Sequence, residues 1–237
     1  METAGALDGP GLRYVLFLSG CPFRCRFCHN PDTWQSSGKN LKTVDEVFAD
    51  IMKYESFFKF SQGGVTASGG EPTLHKEFLT ELFERLKERG VHTALDTCGY
   101  TEITPDLDKL LALTDLVLLD IKHLDPLWHI DLTGKSNNLV FNFLNHLQEL
   151  KKPVWIRTVI IAGWTDGIDY AGTLAKFLRQ YSVIKRLELL PYHDMGKKKW
   201  EALGLTYRAN DLTPPTKERL AELKNIFESA HIPTIVQ

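Results

Sequence analysis

The chain has 237 residues, of which 43% are hydrophobic, and its 28 Lys and Arg nearly balance its 30 Asp and Glu. Without a long block of like charge, nucleic acid and anionic membrane surfaces are not expected partners, and no apolar run approaches the roughly 18 residues that span a bilayer. The acidic start Met1-Glu2-Thr3 lacks the features of a signal peptide, which predicts a cytoplasmic protein. In that reducing compartment four cysteines, three of them within eight residues, indicate a metal or redox site rather than disulfides.

Strand-like and helical patterns alternate along the chain. Thr43 and Glu46 form a capping box, which predicts a helix start, and Thr104-Pro105 predicts another. An apolar stripe over 78–86 indicates a further helix, and the last helix is predicted near 216–229. Residues 194–215, before that helix, are predicted to be a long loop, a candidate lid or partner-binding segment. The six predicted strands cover 12–18, 64–67, 91–95, 116–121, 154–160 and 186–190.

This alternation predicts a parallel sheet with crossover helices. Six βα units are too few for a closed eight-stranded barrel, so we expect an α/β fold, a partial (β/α)6 barrel of parallel strands with outer helices. The length suits a single domain, residues 1–237. Polar residues follow the predicted strands at 21–28, 68–71, Asp96, Lys122 and His193, and Arg157 lies within its strand. Because the carboxyl ends of parallel strands share one face, these residues should converge on one cavity.

Cys21, Cys25 and Cys28 have a C-x3-C-x2-C spacing. A loop this compact can wrap three thiolates around a cubane cluster and leave the fourth iron open, whereas electron-transfer ferredoxins close their clusters with four cysteines. Structural zinc is the first alternative, but it needs four ligands, and His29 directly follows Cys28, which is a poor position for the fourth. A redox dithiol formed by Cys25 and Cys28 is the second, but it leaves Cys21 without a role. The spacing therefore favours an iron–sulfur cluster.

With these cysteines, several further motifs resemble the radical S-adenosylmethionine (SAM) superfamily and, more narrowly, the pyruvate formate-lyase activating enzymes. The resemblance covers almost the whole chain, and its strength lies in the order of the motifs. They are Asp8-Gly9-Pro10-Gly11, Cys28-His29-Asn30-Pro31-Asp32-Thr33-Trp34, Gly64-Val65-Thr66-Ala67-Ser68-Gly69-Gly70-Glu71-Pro72, Asp96-Thr97, Leu119-Asp120-Ile121-Lys122, Val154-Trp155-Ile156-Arg157 and Leu190-Pro191-Tyr192-His193.

The resemblance implies a [4Fe–4S] cluster held by Cys21, Cys25 and Cys28, whose open iron binds SAM. One electron then cleaves SAM to methionine and a 5′-deoxyadenosyl radical, which takes a hydrogen atom from a glycine of pyruvate formate-lyase. It also implies flavodoxin or ferredoxin as electron donor, and a monomer is expected. No cysteine lies between Cys28 and Cys98, so the ferredoxin-like insertion of several other activases is absent, which favours pyruvate formate-lyase as partner. The alternatives are the activase of another glycyl radical enzyme, a small radical SAM enzyme acting on a metabolite or nucleic-acid base, and a non-catalytic electron-transfer or zinc module.

The resemblance also implies roles for single residues. Phe27 is expected to lie against the adenine, Asp8 to contact the partner's glycyl loop, and Glu71 to orient its own loop. Cys98 departs from the asparagine often found after Asp-Thr in the family; because it is remote in sequence and the cysteine triad is complete, we expect a bystander thiol rather than a fourth cluster ligand. The remaining residues implied to bind SAM are His29, Gly69, Gly70, Asp120, Ile121, Lys122, Arg157 and His193. Asp96, Thr97 and Asp120 are implied to hold a monovalent cation, for which oxygen ligands are suitable.

Overall fold

The computed structural model describes residues 2–5, 7–35, 38 and 41–237. The predicted single domain therefore includes positions 1, 6, 36, 37, 39 and 40, which lie outside the described residues. The described strands form one sheet in the order β1 to β8, each beside its neighbour in sequence. They are β1 Glu2–Gly5, β2 Arg13–Leu18, β3 Gly64–Gly69, β4 His92–Thr97, β5 Leu116–Asp120, β6 Val154–Ile160, β7 Ile184–Pro191 and β8 Thr234–Val236.

Helices connect the strands and cover the sheet. The capping box predicted at Thr43 is confirmed: its hydroxyl accepts from the Glu46 N–H at 3.2 Å and its own N–H donates to the Glu46 carboxylate at 2.9 Å. Among the described residues no helix combines the length and apolar character required to cross a membrane. The helices are α1 Val44–Met52, α2 Glu55–Ser61, α3 Lys76–Glu88, α4 Pro105–Ala112, α5 Pro126–Thr133, α6 Asn138–Glu149, α7 Ile168–Leu178, α8 Lys197–Ala202 and α9 Lys217–Ser229.

The expected open parallel sheet is confirmed, but the predicted strand count is too low. Strands β2 to β8 pair in parallel, giving seven parallel strands rather than six, and β1 adds an antiparallel strand against β2. Both missed strands are short, four residues in β1 and three in β8. Segments of that length carry too few residues for an alternating pattern to stand out.

Most buried apolar side chains form one core between the sheet and its helices. A second cluster lies at the carboxyl end of the sheet and includes Phe27, Tyr192, Trp200 and Tyr207. The last two belong to the segment 194–215, so the prediction of a long loop there is wrong: α8 interrupts it, and Trp200 is 1% exposed. A polar run of three lysines precedes Trp200 and masks the helical pattern. The packed segment covers the edge of the sheet where the predicted site residues lie.

Candidate functional site

A cavity of about 660 Å³ opens at the carboxyl ends of the parallel strands. The loop after β2 forms one wall, and the ends of β3 to β7 form the others. Parallel strands bring their carboxyl ends to one edge of a sheet, and this is where α/β proteins bind their ligands. The predicted site residues that line the cavity are Asp8, Cys21, Cys25, Phe27, Cys28, His29, Gly69, Gly70, Asp96, Thr97, Asp120, Lys122, Arg157 and His193.

The three predicted cluster cysteines share one wall, and all are free thiols. Their loop is fixed by backbone hydrogen bonds to α5, in which the N–H groups of Arg24 and Arg26 donate to the Thr133 and Leu132 carbonyls at 2.8 and 2.9 Å. Burial raises the pKa of Cys25 and of Cys28. Both thiols must therefore lose a proton when they bind metal, which couples metal binding to pH.

The donor set fits an iron–sulfur cluster better than a single zinc ion. Within the described residues no group of three or more His, Cys, Asp or Glu side chains is arranged to hold a single metal ion. Thiolates are ligands that such clusters prefer. His29, the nearest candidate for a fourth zinc ligand, has its Nε2 3.1 Å from the His193 carbonyl oxygen and its ring stacked on His193 at 4.2 Å.

Lys122 connects the cysteine wall to the strand ends. Its ammonium forms an ion pair with Asp120 at 2.8 Å and lies 5.7 Å from the Phe27 ring centroid. Burial alone would lower the pKa of Lys122, but the Asp120 carboxylate outweighs it and raises that pKa. The cavity therefore contains a permanent, nearly buried cation that can donate to an anionic ligand.

Arg157 lies deeper, among three carboxylates. Its guanidinium is 3.0 Å from Asp96, 3.4 Å from Glu188 and 3.7 Å from Asp8. Although burial disfavours its charge, these carboxylates raise the pKa of Arg157. One guanidinium surrounded by three carboxylates gives this wall an excess of negative charge, and Arg157, which the resemblance assigns to SAM, is paired with carboxylates of the protein itself.

Gly69 and Gly70 pack the end of β3 against the cluster loop. Gly69 has φ +110°, and a Cβ on either glycine would collide with the backbone of Leu18 or Gly20. The Gly70 N–H donates to the Leu18 carbonyl at 2.8 Å. Their freedom from a side chain is therefore required by the protein's own packing, in addition to the ligand contact implied by the sequence.

Glu71 is completely buried, and its carboxylate joins two segments. Its carboxylate accepts from the Thr73 N–H at 3.0 Å, the Thr97 hydroxyl at 2.7 Å and the Cys98 N–H at 2.9 Å. These bonds fix the turn after β3 to the end of β4. Glu71 is absent from the cavity lining, so it orients the loop through the protein.

The implied cation residues all reach the cavity, but their side chains already have partners. Asp96 accepts from the Ser68 hydroxyl at 2.6 Å and pairs with Arg157. The Thr97 hydroxyl donates to Glu71 and accepts from the Gly99 N–H at 2.9 Å. Asp120 is paired with Lys122. The cation therefore remains a prediction.

Two residues are placed differently from expectation. The side chain of Ile121 is 1% exposed in the main core, and Ile121 does not line the cavity. Cys98 was expected to be a bystander because it is remote in sequence, yet it lines the same cavity as Cys21. The neighbouring Cys98 thiol lowers the pKa of Cys21. The adjacency arises because β4 lies one strand away from β3, whose end packs on the cluster loop.

Sequence reasoning missed an aromatic wall beside Cys28. The Trp200 indole N–H donates to the Cys28 carbonyl at 2.8 Å, and Trp34 contacts Trp200 edge to face at 4.9 Å. Glu188, which pairs with Arg157, and Gln237 were also missed. The one available signal was Glu188 itself, a carboxylate between Leu187 and the pair Leu189 and Leu190. The wall closes the cavity beside Cys28.

Comparison with known proteins agrees with this site. The Radical SAM superfamily model matches residues 15–174. The chain is 42% identical over 228 residues to pyruvate formate-lyase 1-activating enzyme of Escherichia coli K12, covering 96% of this chain and 93% of that protein. It is 46% identical over 224 residues to pyruvate formate-lyase-activating enzyme of Staphylococcus aureus USA300, covering 92% and 89%.

Solved structures share the fold. A domain of pyruvate-formate lyase-activating enzyme from Bacteroides vulgatus superposes with a TM-score of 0.63 at 25% identity, covering 74% of this chain and 99% of that one. Streptococcus suis SuiB bound to S-adenosylmethionine gives a TM-score of 0.71 at 17% identity, covering 96% of this chain and 51% of that one. At that identity the second likeness concerns the fold alone.

Proposed function

Because this chain belongs to the radical SAM superfamily and, within it, to the pyruvate formate-lyase-activating enzymes, we propose that its cavity binds SAM beside a [4Fe–4S] cluster and admits a glycine-bearing loop of pyruvate formate-lyase. The observation that carries the proposal is the convergence of Cys21, Cys25 and Cys28 with Lys122 and Arg157 on one cavity. Thiols, a cation and a carboxylate wall at one strand edge suit a ligand that has both an anionic and a cationic end.

When bound, the cluster supplies the electron that cleaves SAM to methionine and a 5′-deoxyadenosyl radical, which takes the hydrogen atom from the glycine Cα and leaves a glycyl radical and 5′-deoxyadenosine. Cys21, Cys25 and Cys28 would hold the cluster. Backbone bonds to α5 fix their loop in advance, so the ligands lose little conformational freedom on binding.

The polar residues of the cavity would orient SAM. Lys122 is suited to donate to the SAM carboxylate, and Phe27, whose ring lies beside that ammonium, to contact the adenine. His193 has a buried Nδ1 without a hydrogen-bond partner in the described part of the chain, and this nitrogen would hydrogen-bond a polar SAM atom. The carboxylates around Arg157 favour the positive sulfonium and ammonium groups.

The mouth of the cavity would receive the partner's loop. Asp8 and the half-exposed Leu7 and Phe17 line the cavity, and the Thr66 hydroxyl donates to the Asp8 carbonyl at 2.6 Å, which holds the turn in place. A glycine that enters here reaches the carboxyl ends of the strands. The cysteine side of the cavity, in contrast, is covered by the aromatic wall that contains Trp200. We therefore assign the partner's approach to the side of Asp8.

Further parts of the proposal rest on the family alone. They are a flavodoxin or ferredoxin as electron donor, a monomeric protein in the cytoplasm, and a monovalent cation near Asp96, Thr97 and Asp120. The cation would have to compete with Arg157 for Asp96, or use main-chain oxygens, because those side chains are already bonded.

The decisive experiment mixes the reduced protein, SAM and pyruvate formate-lyase without oxygen and records electron paramagnetic resonance. We expect iron in the purified protein and a SAM-dependent glycyl radical signal, with both iron and signal lost when Cys21, Cys25 or Cys28 is replaced by Ala. A colourless protein containing zinc and no iron would contradict the cluster. A radical formed on another glycyl radical enzyme but not on pyruvate formate-lyase would keep the class and refute the partner.

A further inference from the structure

Gln237 follows the last strand, β8, and reaches the rim of the cavity from the margin of the sheet. Its N–H donates to the Leu189 carbonyl at 3.1 Å, which continues the parallel pairing of β7 with β8. Its partly buried side chain lines the cavity together with Leu7 and Asp8. The side-chain nitrogen Nε2 lies 3.4 Å from the Leu7 carbonyl oxygen, one residue before Asp8. Gln237 therefore lies at the same mouth of the cavity as the Asp8 turn.

The neighbours of Gln237 fix which way its carboxamide faces. Nε2 donates to Glu188 Oε2 at 2.8 Å and, over the longer distance, to the Leu7 carbonyl. Both partners are oxygens, so the amide nitrogen faces them rather than the amide oxygen. Among the described residues no donor is paired with the carbonyl oxygen Oε1. The carboxamide therefore has one acceptor and one weakly used hydrogen to offer a molecule in the cavity.

The two partners of Gln237 do not depend on it. The Leu7 carbonyl also accepts from Arg157 Nη2 at 3.3 Å. Glu188 lies 3.4 Å from Arg157 Nε and 3.5 Å from Arg186 Nη1. A polar group is costly to bury when it is left without any partner, and neither oxygen would be left so. The Gln237 side chain can therefore exchange a bond within the protein for a bond to a ligand.

The target of the proposed reaction is a glycine, which has no side chain for a protein to recognise. Its neighbourhood offers main-chain N–H and C=O groups. A carboxamide carries the same donor and acceptor as a peptide group, so it can pair with one through two hydrogen bonds. Asp8 and Arg157, the charged groups at this mouth, each lack one half of that combination.

Building on the proposed function, we propose that Gln237 is a specificity-determining residue whose carboxamide hydrogen-bonds the main chain of the partner's loop beside the target glycine. Oε1 accepts from a main-chain N–H of the loop, and the second hydrogen of Nε2 donates to a main-chain carbonyl. This pairing sets how deeply the glycine Cα enters the cavity, while Lys122 and the cysteines serve SAM and the cluster. It also favours a peptide over a small metabolite that has no peptide group.

The test uses the cluster-loaded, SAM-bound protein and a synthetic peptide with the sequence of the glycine-bearing loop of pyruvate formate-lyase. Gln237→Met keeps the size of the side chain but removes its donor and its acceptor. It should raise the Kd of the peptide roughly three- to tenfold, the range expected for one neutral hydrogen bond, and leave the Kd of SAM unchanged. Gln180→Met is the matched control, because Gln180 is exposed just beyond α7, and it should match wild type in both constants.

A second measurement locates the contact on the peptide. One amide at a time near the glycine is replaced by an ester, which removes a single main-chain N–H. With wild type, one of these esters should bind more weakly than the parent peptide. With Gln237→Met the same ester should lose little further affinity, because two changes that remove one bond are not additive.

Three results would overturn the inference: an unchanged peptide Kd in Gln237→Met, an equal weakening of SAM binding, or ester and variant losses that simply add. A wild type that forms no SAM-dependent radical would overturn the proposed function together with this inference. An active wild type with an unaffected Gln237→Met refutes the inference alone. If Gln237→Met does not fold, Gln237→Ala takes its place in the same comparisons.

Discussion

Lys122 illustrates how single residues shape this cavity. It is a nearly buried ammonium with one carboxylate partner, Asp120, and with the Phe27 ring beside it. Burying a charge is expensive unless it is paired, and here one partner at 2.8 Å leaves the other two ammonium hydrogens available for a ligand.

We predict that Lys122→Met weakens SAM binding. The loss of a charge-assisted hydrogen bond, about 1.5–3 kcal/mol, corresponds to a Kd roughly 10- to 150-fold higher, and equilibrium binding to the cluster-loaded protein measures it. Lys59→Met on α2 is the matched control, because Lys59 is exposed and its ion pair among the described residues is with Glu55 on the helix surface. An unchanged Kd in Lys122→Met would remove this residue from the SAM site.

Arg13, which is buried, and His92, which is partly buried, form a second pair at the opposite end of the sheet. Arg13 is completely buried and donates to the Thr66 hydroxyl at 2.9 Å, and its Nη1 lies 3.2 Å from His92 Nδ1. Burial, reinforced by the Arg13 charge, lowers the pKa of His92 from 6.5 to about 4. The folded protein therefore favours the neutral form of the His92 imidazole.

This pair predicts a loss of stability on mild acidification. Below pH 6.5 the unfolded chain protonates His92, whereas the folded chain resists until about pH 4, so the free energy of unfolding falls as pH falls through that window. Chemical denaturation between pH 8 and 5 should show a shallower decline in His92→Gln than in wild type. Their stabilities at pH 8 provide the reference, because there residue 92 is neutral in the folded and unfolded states of both proteins. Parallel pH profiles would contradict the assignment.

At the scale of elements, α8 covers the cluster loop although it has only six residues. Trp200 anchors it through its bond to the Cys28 carbonyl and its edge-to-face contacts with Trp34 and Tyr207. A helix this short has little stability of its own, so its position depends on this single buried side chain.

We predict that Trp200→Ala accelerates iron release from the loaded protein to a chelator, because the wall behind Cys28 opens. The initial iron content should match wild type, and the release rate is followed by absorbance. Trp128→Ala is the control, since Trp128 is 45% exposed on α5. Equal release rates in Trp200→Ala and wild type would show that α8 does not protect the cluster.

The elements also show what sequence reasoning can reach. Parallel topology alone places Cys21, Asp96, Lys122 and His193 at one edge, so the cavity could be predicted from where the strands end. The presence of Cys98 in the same cavity lining as Cys21 could not, because it depends on register and on the Glu71 bonds, which pair residues 27 positions apart. Likewise α8 could not be predicted from the sequence, because its helical conformation depends on the packing of Trp200 against residues distant in sequence.

At the scale of the whole molecule, burial is greatest in the middle of the sheet. Ala94 and Leu95 in β4 and Leu118 and Leu119 in β5 have no exposed surface, whereas most residues of 194–206 are exposed. Regions with few buried contacts open locally, while central strands exchange amide hydrogens mainly through global unfolding.

Hydrogen exchange should therefore divide the molecule into two classes. We expect the amides of β4 and β5 to exchange roughly 100-fold or more slowly than those of α8, measured by mass spectrometry on the cluster-loaded protein. Denaturant well below the unfolding midpoint should leave the α8 rates nearly unchanged, because their opening exposes little surface. Uniform protection across both regions would contradict this division.

The sheet ends at β1 on one side and β8 on the other, and these two strands do not pair within the described residues. A closed barrel has a circumference fixed by its hydrogen-bonded strands, whereas a sheet with two free margins can change its curvature by small rotations between neighbours while every ladder bond survives. Small rotations at each strand pairing would add up, and together they would widen the mouth of the cavity near Asp8. A large protein loop could therefore enter the cavity, and the sheet could close around it by elastic deformation, without unfolding a strand.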